Sequence, residues 1–211
     1  MHKNISLADQ VFEHLEADIL GGKYARGESL TEMKLCADLG VSRTPIREAL
    51  HRLAQEHLVE ISAKGVIVLG VTDKDLVDIY DIRLAVEGMA AARAATLATE
   101  EQIAELKETV DLQEFYSAKH DAEHIRLMDS RFHKLIYDFS GSIVLHDMLT
   151  PLHTKAQKYR KTSVENSSRA DASVAEHRAI FDAIVAHDAD AAEQAMILHV
   201  ANARNHILKG K

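Results

Sequence analysis

Asp129 and His133 stand four residues apart, a spacing that puts both side chains on one face of a helix. His177 and His199 flank the A-H-D-A-D-A stretch at 186–191, and their midpoint is residue 188. In an antiparallel helix hairpin, positions equidistant from the turn lie side by side. These two imidazoles are therefore expected at one level of a helix pair. One carboxylate and three imidazoles facing inward make a ligand set for a divalent transition metal, with zinc first and nickel or manganese as alternatives. Each part alone is a weak signal. A buried histidine is more often a hydrogen-bonded core residue, and an Asp-x-x-x-His pair arises by chance. The mirror spacing about the turn is what raises the set. The chain has 13 histidines. Residues such as His14, His51, His120, His153 and His187 are read as core or surface.

A second chemistry lies in V-S-R-T-P-I-R-E-A-L-H-R, Val41–Arg52, where three arginines face a single Glu48. A recognition helix needs donors at its N-terminal end, where side chains reach base edges in the major groove. Arg43 suits bidentate reading of guanine O6 and N7. Ser42, Thr44 and the free N–H groups of the helix start suit phosphate oxygens. Arginines on an arbitrary helix face are usually just solvated; the flanking elements argue otherwise here.

Those elements follow from the apolar spacing. Leu7, Val11, Leu15 and Ile19 recur at i+4 as one helical stripe. Ser6 with Asp9 reads as a capping box, and Gly21-Gly22 stops the helix. A short helix runs from Thr31 to Gly40, with Leu35 and Leu39 inside. A third starts at Thr44-Pro45, read as N-cap and N1, with Ile46, Ala49, Leu50 and Leu53 inward. Two β-branched runs, Leu58–Ile61 and Val66–Leu69, flank Ala63-Lys64-Gly65, a turn whose glycine can take positive φ. Helix, short helix, tight turn, helix and hairpin make a winged helix-turn-helix. The hairpin tip, Lys64 and Gly65, suits a wing lying on the neighbouring groove.

Everything after Thr72 reads as helix. Six are expected, near 73–97, 100–118, 121–139, 143–162, 170–187 and 190–208, with breaks at Gly141 and Ser163–Ser168. Thr72-x-x-Asp75 and Thr99-x-x-Gln102 open two of them. Leu76, Ile79 and Arg83, then Leu127, Phe132, Leu135 and Ile136, mark inward stripes. Short connections favour antiparallel neighbours. The fold class is thus mainly α: a winged helix-turn-helix over residues 1–70, then an all-α six-helix antiparallel bundle over residues 71–211.

Composition bounds the rest. A chain of 211 residues with one cysteine, Cys36, forms no internal disulfide and no multi-cysteine zinc ribbon, which points to a reduced, cytoplasmic setting. No apolar run approaches the roughly 20 residues of a membrane span, and the N-terminus carries no apolar leader. The formal charge of −8 argues against nucleic acid at first sight. The weight of that charge lies in the second part: residues 1–70 hold 8 Lys+Arg against 10 Asp+Glu, and residues 71–211 hold 17 against 23. A local basic patch doubled in a dimer makes the chain-wide charge a weak guide.

The strings L-A-D-Q-V-F-E-H-L, G-E-S-L-T-E and L-G-V-S-R-T-P-I-R-E-A-L-H-R-L resemble the DNA-binding domain of GntR-family bacterial transcription regulators. The resemblance implies DNA contacts from Ser42, Arg43, Thr44, Arg47, Lys64 and Gly65. The helical part resembles the FCD effector domain of the FadR subfamily, VanR-type subgroup. The matching strings are D-I-R-L-A-V-E-G-M-A-A-A-R-A (81–94), D-S-R-F-H (129–133), E-H-R-A-I-F-D-A-I (176–184) and M-I-L-H (196–199). In the metal-binding members an aspartate and three histidines hold the ion, which implies Asp129, His133, His177 and His199 here. The acyl-CoA-responsive member lacks that set, which implies a different effector.

A divalent ion held by one carboxylate and three neutral imidazoles keeps a positive charge, which favours a small carboxylate metabolite as effector. Arg83 is a candidate second anchor, since guanidinium pairs with carboxylate in a fork, and Asn202 shares the face of His199. The expected function is a homodimeric repressor on pseudo-palindromic double-stranded operator DNA, modulated by an organic acid. Two alternatives remain at this point: a metal-dependent hydrolase or lyase, and a regulator whose metal is structural or itself sensed.

Overall fold

The computed structural model describes residues 6–63, 65–163 and 167–209. The chain divides into two compact units, Met1–Thr72 and Asp73–Lys211.

In the first unit, α1 (Leu7–Leu20) begins at a full Ser6/Asp9 capping box. Its stripe buries Val11, Leu15 and Ile19, whereas Leu7 is half exposed, because the first turn runs past the edge of the core. After α1 comes a short strand, β1 (Ser29–Leu30), and then α2 (Glu32–Leu39). Thr31 caps α2, and Gly40 ends it at φ 66°. Helix α3 (Arg43–Gln55) starts two residues earlier than expected, with Ser42 rather than Thr44 at the N-cap. Pro45 thereby sits in the third helical position. Its missing N–H is still one of the four that have no partner within the helix, so the proline does not fix the start. Ile46, Ala49, Leu50 and Leu53 are buried inward as the spacing predicted.

Strands β2 (Val59–Ser62) and β3 (Gly65–Val68) form the expected hairpin, and Gly65 takes φ 115°. The sheet has a third member. Strand β1 pairs antiparallel with β3, Ser29 opposite Ile67 and Leu30 opposite Val66. Two residues are too few to show an alternation in sequence, so this strand left no periodic signal.

The second unit stacks α4 (Asp73–Leu97), α5 (Glu100–Ala118), α6 (Ala122–Phe139), α7 (Ile143–Ser163), α8 (Ser167–Val185) and α9 (Ala189–Lys209). The break expected at Ser163–Ser168 is narrower, with α8 beginning at Ser167; residues 164–166 lie outside the described residues. Thr99 and Gln102 form a reciprocal capping box on α5. His120, Gly141 and His187 hold positive φ in the three tight connections that follow α5, α6 and α8. Left-handed backbone at those points reverses the chain within a few residues, which sets the consecutive helices side by side. Leu127 is half exposed, not inward, while Phe132, Leu135 and Ile136 are buried. Among the described residues no helix is long and apolar enough to cross a membrane.

Candidate functional site

The buried face of α6 carries Asp129 and His133, and α8 and α9 bring in His177 and His199. The four ligand atoms lie within 4.8 Å of one another. His133 Nε2 is 3.2 Å from His199 Nε2, His177 Nε2 is 3.4 Å from His199 Nε2, and His177 Nε2 is 3.7 Å from Asp129 Oδ1. A tetrahedral ion with bonds near 2.0–2.1 Å has ligand–ligand edges of about 3.3 Å, close to these three distances.

The outward side of each ligand explains the arrangement. His177 Nδ1 is 2.7 Å from Gln113 Oε1 on α5, and His199 Nδ1 is 2.7 Å from Glu176 Oε2. His133 Nδ1 lies 3.3 Å from the Glu87 carboxylate on α4. The outer nitrogens of His177 and His199 each meet an oxygen that accepts and does not donate, so their ring protons belong at Nδ1, while His133 Nδ1 faces Glu87 without a hydrogen bond. Gln113 cannot reverse its amide cheaply, because its Nε2 donates to the Ile125 carbonyl. Asp129 is turned in the same way. Its Oδ2 accepts from Gln157 Nε2 at 3.0 Å, and Gln157 in turn accepts from Ser130.

The electrostatics agree. Burial pushes the His177 pKa well below the usual imidazole value, and that of His199 down to about 4. Both rings are therefore neutral at pH 7. Burial by itself raises the Asp129 carboxyl, but the surrounding imidazoles, His153 foremost, outweigh it and hold the group well below the usual range. The result is an ionised carboxylate beside the bare Nε2 lone pairs of His177 and His199. Such a cluster repels itself until a cation enters.

Arg83 and Asn202 are placed differently from each other. Asn202 is beside the cluster, and its amide donates to Glu176 Oε1 at 2.8 Å. Arg83 is fully buried, with its Nε ion-paired to Glu87 one turn on and its Nη2 3.2 Å from His153 Nδ1. His153 itself, read from sequence as core or surface, lies at the site: its Nε2 is 3.4 Å from Asp129 Oδ2.

On α3, Ser42 makes no side-chain cap bond, and Ser42, Arg43 and Thr44 are all exposed at the helix start. Arg47 is exposed too, but its Nε donates to Glu32 on α2 at 2.8 Å. Arg52 is committed elsewhere: it pairs with Asp9 and stacks on Phe12, 4.0 Å from the ring centroid. Gly65 opens β3, and Lys64 lies outside the described residues.

Residues 7–68 match the bacterial regulatory proteins of the gntR family, and residues 78–202 match the FCD domain. The chain belongs to the GntR family. It is 30% identical over 201 residues to the HTH-type transcriptional regulator YdhC of Bacillus subtilis, covering 94% of this chain and 89% of that one. It is 28% identical to the HTH-type transcriptional repressor RspR of Escherichia coli, over 90% and 84% of the two chains. Among solved structures, E. coli McbR/YncC superimposes with a TM-score of 0.78 at 25% identity, over 98% and 97% of the chains. Family membership makes this chain a DNA-binding transcription regulator with an FCD domain, not an enzyme.

Four further residues belong to this regulator's site: Glu87, Gln113, His153 and Glu176. Two of them had a readable signal. Asp129 and His153 are equidistant from Gly141, the turn between α6 and α7, just as His177 and His199 are from residue 188. Glu176 is adjacent to His177 and so shares its mirror relation to α9. Glu87 and Gln113 stand on helices with no such relation to the ligands.

Proposed function

We propose that this GntR regulator is a metabolite-released repressor whose FCD unit holds a divalent metal at Asp129, His133, His177 and His199. The observation that carries the reading is the convergence of three Nε2 atoms and one ionised carboxylate, with His177, His199 and Asp129 each held from behind by a hydrogen-bond partner. Zinc fits the donor set best, with nickel or manganese as alternatives. When bound, the ion would supply a positive charge, and expansion of its shell beyond these four ligands would admit a small carboxylate. Glu176, Gln113 and Gln157 keep the ligands aimed, and Asn202 steadies Glu176.

The division of labour is residues 1–70 for DNA and residues 71–211 for effector and dimerisation. Ser42, Arg43, Thr44, Arg47, Lys64 and Gly65 are the contacting residues, with Arg43 reading a base and the others positioning the backbone. A homodimer places two such helices on successive major-groove faces of a pseudo-palindromic operator. The effector acts through its differential affinity for the DNA-competent and released arrangements. Repression is supported by the names of relatives such as RspR, and the setting is cytoplasmic.

Gel-shift titration of the zinc-loaded protein on its own promoter region tests this reading. Sequence-specific binding weakened by one or more of a panel of sugar acids, hydroxy acids and dicarboxylates is the expected result. Binding with no sequence preference, or binding indifferent to every acid and to chelation, overturns it.

A further inference from the structure

His153 is buried on α7, and its two ring nitrogens have unequal surroundings. Nδ1 is 3.2 Å from Arg83 Nη2. A guanidinium only donates, so Nδ1 must accept, and the ring proton is forced onto Nε2. That is the opposite tautomer to the one the metal-ligand histidines require. The Nε2–H then lies 3.4 Å from Asp129 Oδ2 and has no hydrogen-bond partner. A buried donor left unmade costs about 1–3 kcal/mol, so such a group is seldom idle. Asp129 Oδ2 is the nearest acceptor, but it also accepts from Gln157 and lies beyond the normal reach of a hydrogen bond from Nε2, so a better-placed oxygen would win the His153 proton.

A second donor has the same character. Tyr137 stands one turn beyond His133 on α6, is 1% exposed, and its hydroxyl also has no hydrogen-bond partner. These two donors accompany the ligand cluster, as does His133 Nδ1, which faces the Glu87 carboxylate at 3.3 Å without a hydrogen bond; Arg83 lies behind His153. Arg83 itself is closed off by Glu87, so it is poorly placed to grip an incoming anion directly.

We propose that His153 is the donor that meets the carboxylate effector beside Asp129, with Arg83 acting through it as a positioning residue that fixes its tautomer. This inference rests on the carboxylate reading given above. It assigns a selectivity as well: the site rewards an oxygen acceptor at Nε2 and gives nothing to a ligand that presents a donor there.

Two measurements on the full chain test it. In the zinc-loaded wild type, long-range ¹H–¹⁵N correlation of the histidine rings should show His153 protonated at Nε2 and the three ligand histidines protonated at Nδ1. A proton on Nδ1 of His153 overturns the proposal without touching the carboxylate reading. Acetate is then titrated by NMR into zinc-loaded wild type, His153→Phe and His153→Gln, with metal content checked in each. The expected result is about tenfold weaker acetate binding for His153→Phe, the loss of one hydrogen bond to a charged acceptor. His153→Gln should recover most of it, since an amide accepts from Arg83 and donates toward the ligand. Equal binding by wild type and His153→Phe overturns the role of His153 alone. No acetate binding by zinc-loaded wild type overturns the carboxylate reading and this inference with it.

Discussion

His177 Nε2 stands 3.4 Å from His199 Nε2, and each ring is held from behind, by Gln113 and by Glu176. Two lone pairs facing each other at that distance do not form a hydrogen bond. Without a cation the pair is a source of repulsion buried in the bundle, and with one it becomes half of a coordination shell. Metal is therefore expected to raise the stability of the second unit. At an excess of about a hundredfold over Kd, mass action contributes about 2.7 kcal/mol. For a chain of this size that is a rise in Tm of about 5–10 °C. Thermal denaturation of the zinc-loaded protein with and without a chelator measures it. His177→Ala should abolish the difference, and a chelator effect that survives in that variant would place the ion elsewhere.

The same burial gives the metal-free protein a pH dependence. His199 and His153 have pKa values lowered to about 4 and about 3, against roughly 6.5 in an unfolded chain. Between those values the unfolded state binds a proton that the folded state refuses. Stability therefore rises with pH across that window and falls as acid is added from about pH 6.5 down. Each such histidine contributes a slope of up to about 1.4 kcal/mol per pH unit. Lowered carboxyl values such as that of Glu176 act only below about pH 4.3, so they do not explain a loss at pH 5–6. Chemical denaturation at pH 7, 6 and 5 should show the decline, and His153→Phe should flatten it. A profile unchanged by that substitution would contradict the assignment.

Periodicity carried much of the fold because long helices repeat their signal. The span of α4 and the inward face of α3 were legible from apolar spacing alone. Strand β1 was not, because two residues cannot establish a period. The ligand cluster was legible for a different reason. Helix hairpins convert equal sequence distance from a turn into spatial adjacency, which links His177 to His199. The same rule, applied about Gly141, links Asp129 to His153. Glu87 and Gln113 could not be found this way. They reach the ligands through packing between helices that do not share a turn, and no spacing encodes that contact. Arg52 shows the converse failure: counted with the recognition arginines, it is engaged by Asp9 and Phe12 forty residues earlier.

Arg83 and Glu87 form an ion pair one helical turn apart with both side chains essentially inaccessible. Removing one partner leaves the other charge buried and alone, which costs about 3–5 kcal/mol in comparable pairs. Glu87→Gln is expected to destabilise the metal-free protein by that order. The double substitution Arg83→Met with Glu87→Met removes both charges and keeps the volume, so it should destabilise less than the single change. Urea denaturation of the three proteins completes the comparison. A Glu87→Gln protein within about 1 kcal/mol of wild type would show that the pair is not the closed unit its burial indicates.

On the DNA side, Glu32 and Arg47 set a competition. Arg47 is exposed at the start of the reading helix, but its Nε donates to Glu32 at 2.8 Å, and the Glu32 carboxyl is lowered, chiefly by that bond. A phosphate must displace Glu32 to engage the guanidinium. Glu32→Gln removes the competing charge, so it is expected to tighten binding to all sequences alike and to steepen the salt dependence by about one ion. Arg47→Ala should do the reverse, again without regard to sequence. Arg43 has no such partner among the hydrogen bonds and ion pairs of the described residues and stands at the base-reading end. Arg43→Ala should cost about ten- to a hundredfold on the operator and little on unrelated DNA. Arg52→Ala loses its contacts to Asp9 and Phe12, so its effect belongs to stability of the first unit and not to sequence preference. Salt-dependent binding curves on operator and random duplexes separate the four cases. If Arg52→Ala alone erased discrimination, the base-reading end of α3 would have been assigned to the wrong terminus.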